Sequence, residues 1–415
     1  MMAATPLSGL PPAAAASHSA SSASAPEIHW IEDGQPRSAR WRSESGAPAP
    51  KRVQIADDRI DADSAYRLAC EGVGLLWRGD FQNARQLLQA LARRIDRPAP
   101  VTRARLKKAS AAAAAQAIAA TAPISGQAFH LHRQAQSQRA RVLGMLLLPH
   151  DSDHGVPLRR APDVRQACAD AYGTAAEPYV ASLRELLGLI GAFEWRKNGV
   201  PVTALDDRIH PHYGVFAPVR AEYVDLMAGV PLPAGAALAF DIGTGTGVLA
   251  AVLARRGVAR IVATDQDPRA LECARENLAR LGLAQVEVMQ ADLFPPGRAA
   301  LVVCNPPWLP ARPSSPIEHA VYDPDSRMLR GFLQGLPAHL TPDGEGWLIL
   351  SDLAEHLDLR SREALLAMFA EAGLRVIERH DIRPQHPRAA DAEDALHKAR
   401  AAEVTSLWRL AILKN

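Results

Sequence analysis

From about residue 200 onward, short apolar and often β-branched runs alternate with segments whose apolar positions recur at helical spacing, the pattern of a parallel α/β sheet. ALAFDI (237–242), IVATD (261–265), VEVMQ (286–290) and ALVVC (300–304) read as four strands, each followed by a helix or loop. GWLILS (346–351), RVIERHDI (375–382) and SLWRLAIL (406–413) complete seven. Helices are predicted around 247–256, 268–281, 325–338 and 361–372. The stretch between the last two strands is long enough for a crossover, so spacing leaves the direction of the final strand open.

Upstream the pattern changes. YRLACEGVGLLWRGDFQNARQLLQALARRI places Leu75, Leu76, Leu87, Leu88 and Leu91 at spacings compatible with helices. The run from Ala109 to Ala122, rich in the strongest helix former and bounded by Pro123, also reads as helix. The first 26 residues are almost wholly Ala, Ser and Pro and hold too few large apolar groups to offset the entropy of ordering. The expected organisation is a disordered tail over 1–50, a mainly helical accessory domain over 51–200 and an α/β domain over 201–415.

Charge sharpens this division. The chain of 415 residues carries a formal charge of only +2, yet residues 81–162 contain 13 Lys/Arg against 3 acids. The accessory region is therefore basic, either as a footprint for a nucleic-acid backbone or as a solvated helical face offset by acidic neighbours in space. Four scattered cysteines, Cys70, Cys168, Cys273 and Cys304, form no C-x-x-C pair, which argues against a zinc ribbon, a dithiol motif and a secreted disulfide framework. No apolar run approaches a membrane span and the first 26 residues lack Lys and Arg, so a soluble, cytoplasmic protein is expected.

The chemistry concentrates at the ends of the predicted strands. In DIGTGTGVLA (241–250), Gly243, Gly245 and Gly247 sit between strand and helix, where bare N–H groups and a helix start can approach a nucleotide-like ligand. The dinucleotide fingerprint G-x-G-x-x-G would require glycine at 248, where Val248 stands, so hydride transfer loses support. Asp265 ends the next strand 18 residues after Gly247, near the position where an acid can accept from ribose hydroxyls. Asp292 follows the third strand, placed to accept from an adenine amine. NPPW (305–308) follows the fourth: Asn305 and the Pro306 carbonyl offer two fixed acceptors for a planar NH2 group, and Trp308 offers a stacking face. The pairs His210/His212 and His150/His154 lack a supporting ligand cluster, so no metal is expected, and Cys304 reads as a small buried strand residue rather than a nucleophile.

The glycine loop with its preceding Asp241 resembles the first motif of class I S-adenosylmethionine-dependent methyltransferases, and NPPW resembles the [DN]-P-P-[FYW] motif of those acting on amide or exocyclic nitrogens. The resemblance spans about residues 207–415. It implies a seven-stranded, Rossmann-like fold with an antiparallel last strand. It also implies S-adenosylmethionine held by Asp241, Gly243, Gly245, Gly247, Asp265, Asp292 and Asn305, and methyl transfer to nitrogen aligned by Asn305 and Pro306. Trp308 and Phe216 are the expected substrate contacts, and Phe216, Pro218 and Arg220 are the counterpart of a Pro-Arg segment in the glutamine methyltransferases. YDPDSRMLRGFLQGL (322–336) is similar to the helix start that follows the motif in the same group. Two features depart from the glutamine enzymes: tryptophan replaces the usual tyrosine, and the Pro-Arg segment is altered. The basic block favours a nucleic-acid base as acceptor, RNA before DNA; the alternatives are a protein glutamine and a non-catalytic module that only binds the cofactor.

Overall fold

The computed structural model describes residues 26–97, 126–219, 221–313, 316–384 and 396–414. The run Ala109–Ala122 lies outside them.

The chain begins with a hairpin, β1 (Glu27–Glu32) and β2 (Gln35–Trp41), turned by Asp33 and Gly34, both at positive φ. An Asp-Gly turn between two strands matches their right-handed twist. Then follow β3 (Arg52–Ala56), α1 (Ala62–Cys70), β4 (Val73–Trp77), α2 (Phe81–Ile95), α3 (Gly126–Leu143), β5 (Leu146–His150), α4 (Arg165–Tyr172), β6 (Tyr179–Ser182) and α5 (Leu183–Asn198). The strands form one six-stranded sheet in the order β1-β2-β6-β5-β4-β3, with β3, β4 and β5 parallel.

Two expectations are corrected here. Residues 27–41 are strands rather than tail, because Ile28 and Trp41 are buried beneath the sheet and the hairpin pairs with β6. The accessory region is an α/β layer rather than mainly helical: Leu75 and Leu76 lie in β4, whose five residues are all buried, while Leu87, Leu88 and Leu91 do lie on a helix. A short, continuous apolar run has no period to separate strand from buried helix.

A small ribbon, β7 (Val200–Val202) and β8 (Asp207–Ile209), leads into the second half. There α6 (Glu222–Gly229) precedes β9 (Leu238–Ile242), α7 (Val248–Arg255), β10 (Arg260–Asp265), α8 (Pro268–Arg280), β11 (Val286–Gln290) and β12 (Ala299–Cys304). After them come α9 (Arg327–His339), β13 (Leu340–Ser351), α10 (Leu353–His356), α11 (Arg362–Glu371), β14 (Leu374–Ile382), α12 (His397–Ala402) and β15 (Thr405–Ile412). All seven expected strands are present, and their order is β11-β10-β9-β12-β13-β15-β14. The last strand inserts antiparallel between β13 and β14, settling the direction that spacing left open.

Helices cover both faces, as a parallel sheet requires. On one, every residue of α7 from Val248 to Ala254 is buried. On the other, Leu329, Phe332, Leu333 and Leu336 of α9 and Leu365 and Phe369 of α11 pack on Phe240, Val302 and Leu348. Each such side chain contributes about 1.5–3 kcal/mol by leaving water. The order reverses between β9 and β12, and a doubly wound sheet binds ligands outside the strand ends at that reversal.

Candidate active site

Register brings the motifs together. Ile242, the last residue of β9, is level with Thr264 on one side and Cys304 on the other. Gly243, Asp265 and Asn305, each the next residue of its strand, therefore leave the sheet side by side. The Thr264 carbonyl accepts from both Gly243 N (2.9 Å) and Thr244 N (2.8 Å), which ties the glycine loop to β10.

The loop is built around Asp241. Its Oδ2 accepts from Thr244 Oγ1 (2.6 Å) and from Ala250 N in the first turn of α7 (3.1 Å), so the acid braces the turn from beneath. Its Oδ1 is buried without a hydrogen-bond partner, and burial pushes the carboxyl up to about 6. All three glycines have positive φ. A Cβ on Gly243 would strike Met328, whereas one on Gly245 would meet nothing within 4 Å, so open space lies beside the Gly245 backbone.

Asp265 accepts from Gly245 N and Asp267 N, each at 3.0 Å, and burial raises its pKa. A carboxylate has about four lone-pair sites, so acceptors remain for a diol. Asp292 is exposed instead, and its carboxylate pairs with Arg327 at 2.8 Å. The orphaned Asp241 oxygen, the open Gly245 backbone and the residual acceptors of Asp265 fit a nucleoside-bearing cation such as S-adenosylmethionine.

In the NPPW loop, Trp308 Nε1 donates to Asn305 Oδ1 at 2.9 Å, and the half-buried indole packs against the core cluster containing Phe240, Ile242 and Cys304. Cys304 is fully buried, and burial drives its thiol well above the ordinary range, consistent with an inert strand residue. Beyond the loop, Leu309 forms a bridge with Tyr322 and its carbonyl accepts from Asp323 N at 2.8 Å. Asp323 in turn accepts from Met328 N and Leu329 N and so caps α9, which fixes the 322–336 segment against the loop.

Of the flanking residues, Phe216 is half-buried and Pro218 buried, while Arg220 lies outside the described residues. The histidine pairs are occupied elsewhere. His210 Nδ1 meets the Arg196 carbonyl at 2.6 Å, His212 Nε2 meets Glu276 at 2.7 Å, and His154 lies between Tyr179 Oη and the Gly173 carbonyl.

Three supporting residues escaped the sequence reading. Asn277 of α8 is buried; its Nδ2 donates to the Thr246 carbonyl of the glycine loop and to the His210 carbonyl, and its Oδ1 accepts from His210 N. Arg360 is buried and donates to the Trp308 carbonyl at 3.3 Å. Arg133 of α3 pairs with Glu318 at 3.1 Å and covers the Tyr322 ring, so the accessory region braces the loop beyond NPPW. An asparagine at helical spacing behind a glycine loop carries a faint signal; arginines that act across 52 and 185 residues of chain carry none.

Residues 209–372 match the family model of the methyltransferase small domain. Among relatives, the release factor glutamine methyltransferase of Cereibacter sphaeroides is 37% identical over 123 residues, 26% of this chain and 44% of that protein. The putative protein N5-glutamine methyltransferase of Methanocaldococcus jannaschii is 31% identical over 121 residues, 27% of this chain and 61% of that protein. The chain thus spans less than two thirds of either relative. Among solved structures, the ribosomal protein L11 methylase of Lactobacillus delbrueckii subsp. bulgaricus is 18% identical, with a TM-score of 0.34, over 51% of this chain and 90% of that one. The second half of the chain thus holds, over residues 209–372, a stretch similar to the methyltransferase small domain, and its glycine loop and NPPW motif resemble those of the S-adenosylmethionine-dependent class.

Proposed function

We propose that the protein transfers a methyl group from S-adenosylmethionine to the side-chain amide nitrogen of a glutamine in a protein substrate. The observation that supports this reading over a nucleic-acid acceptor is that five of the thirteen Lys/Arg of the basic block are already in ion pairs, while Arg103, Arg105, Lys107 and Lys108 lie outside the described residues. Arg94 pairs with Asp63, Arg139 with Asp96, Arg159 and Arg160 with Asp80, and Arg133 with Glu318. Cations already paired within the fold release few counterions on meeting a phosphate backbone. The relatives named for glutamine methylation support the same acceptor, and a retained set of Asp241, Asp265 and Asn305 counts against a module that only binds.

When bound, S-adenosylmethionine supplies an electrophilic methyl, its sulfonium becoming a neutral thioether as the N–CH3 bond forms. Asp265 would accept from the ribose, and the glycine loop would admit the methionine end above Asp241. Asn305 Oδ1 and the Pro306 carbonyl would accept the two N–H bonds of the substrate amide and aim its nitrogen at the methyl. The amide gives its proton to water after transfer, so no strong general base is required, and alignment supplies most of the acceleration.

Incubation of the full chain with cell extract and S-adenosylmethionine labelled in the methyl group tests the acceptor. Protease should release the label, and strong acid should liberate it as methylamine, the product of cleaving an N-methyl amide. Release by nuclease would overturn the proposal.

A further inference from the structure

We infer that Trp308 is an orientation lock on Asn305, and that the buried Arg360 holds the lock in place. The inference rests on the acceptor-holding role proposed for Asn305.

The terminal torsion of an asparagine amide is broad and roughly two-fold, so its rotamer alone does not decide whether oxygen or nitrogen faces a ligand. The choice matters at this position. An amide nitrogen turned toward an NH2 acceptor would set donor against donor, whereas the oxygen accepts. The indole N–H only donates, so the 2.9 Å contact from Trp308 Nε1 requires the oxygen of Asn305 and leaves that oxygen's second lone pair for the substrate. Pro306 and Pro307, whose φ angles are fixed by their rings, hold the separation of the two side chains.

Trp308 is itself anchored at its other polar end. Arg360 Nη2 donates to the Trp308 carbonyl at 3.3 Å and Nη1 to Ser326 Oγ at 3.5 Å. Arg360 is 8% exposed and makes no ion pair at salt-bridge distance among the described residues; burial lowers its pKa, opposed in part by the charges of Glu355 and Asp323. Ser326 and its neighbour Asp325 both adopt positive φ, at 54° and 56°. Such backbone is strained for a residue with a side chain and persists only where its surroundings impose it. Buried charge and strained turn converge on the main chain of the residue that orients Asn305. Trp308 and Arg360 are thus positioning residues.

The test is a two-by-two set in the full chain: wild type, W308F, N305D and the double variant. Each is assayed by the initial rate of label transfer to cell extract, with cofactor affinity measured calorimetrically. W308F keeps the ring and removes the N–H. A carboxylate at 305 presents an accepting oxygen in either orientation, so the lock is superfluous there. W308F should slow transfer about tenfold or more beside Asn305 but less than about threefold in the N305D background, and should leave cofactor Kd unchanged within each background. Equal cost in both backgrounds, or no cost beside Asn305, would overturn the lock. A second measurement needs no acceptor: the Trp308 indole N–H, identified in NMR spectra by its loss in W308F, should exchange with solvent about tenfold faster in N305A than in wild type. Equal exchange rates would overturn the lock as well. Label released by nuclease overturns the glutamine reading but leaves the variant ratios to judge the lock. Absence of any label also overturns that reading, and the exchange rates then decide the lock.

Discussion

The two sheets of this chain are both mixed, with parallel pairs beside an antiparallel inner pairing, and both have covering helices and a sharp strand-to-helix turn, but they treat the polar atoms at those turns differently. After β4, Asp80 caps α2 and its buried carboxylate is fully engaged, by Gln82 N, Arg159 and Arg160. After β9, the turn is made of glycines, and the carboxylate beneath it keeps one buried oxygen unpartnered. The first sheet does hold an orphan of its own, His150 Nε2, but that ring is stacked on Tyr179 and burial pushes its pKa down to about 4, so it sits neutral in the core. Buried polar groups are normally satisfied. A strand end becomes a binding site where acceptors are left over beside open backbone, and a scaffold where every one is filled.

Four perturbations bear on that contrast. The largest effect belongs to Asn305. N305A should lower methyl transfer by at least about 10²-fold, as expected for loss of a preorganised polar group at the reacting centre, with calorimetric cofactor binding retained; unchanged turnover would remove Asn305 from the reaction. Next is Asp265. D265A should weaken cofactor binding by about tenfold or more, since hydrogen bonds to a charged group contribute about 1.5–3 kcal/mol, and an unaltered dissociation constant would exclude the residue from the site.

Asn277 ties the glycine loop to the segment that follows β8. N277A leaves the Thr246 carbonyl and both main-chain groups of His210 without their partner, so denaturant unfolding should show a loss of about 1–3 kcal/mol; a loss below about 0.5 kcal/mol would mean that water takes over these contacts.

The smallest effect is a difference in pH response. The Arg160 guanidinium holds Asp80 at about 2, below its value in an unfolded chain, so its stabilisation is complete above pH ~4 and disappears as pH falls toward 2. Asp241 is raised to about 6, so the folded chain keeps that proton longer than the unfolded one, and stability is lost as pH rises from ~4 to about 6. In calorimetric scans across pH, D80N should lower Tm near neutrality with a difference that shrinks toward pH 2. D241N should remove the decline between pH ~4 and 6. Parallel profiles for wild type and both variants would show that the two acids are equivalent.

Legibility followed periodicity and local chemistry. Most strands of the second sheet are readable because they are short apolar runs between helical segments, and the glycine loop and NPPW are readable because each is contiguous. The hairpin at 27–41 is hard to see in the sequence although Asp33-Gly34 is a turn signal, because its strands are mostly exposed and polar and the neighbouring tail is low in complexity. β4 was misassigned because five consecutive buried residues have no period. The basic block is hard to read from sequence for a different reason. Composition counts charges along the chain, and Asp63, Asp80 and Glu318, which offset part of it, lie outside that stretch of sequence.

The sequence by itself determined where the strands of the second sheet, the glycine turn and the Asn-Pro-Pro corner lie, because these are local objects whose chemistry is set within a few residues. Only the tertiary structure decided which acids remain available and which are consumed, how Asn305 is oriented, and that an arginine from the accessory region and another from behind β13 brace the same loop. Those facts depend on burial and on contacts between residues far apart in the chain, which a linear pattern does not encode.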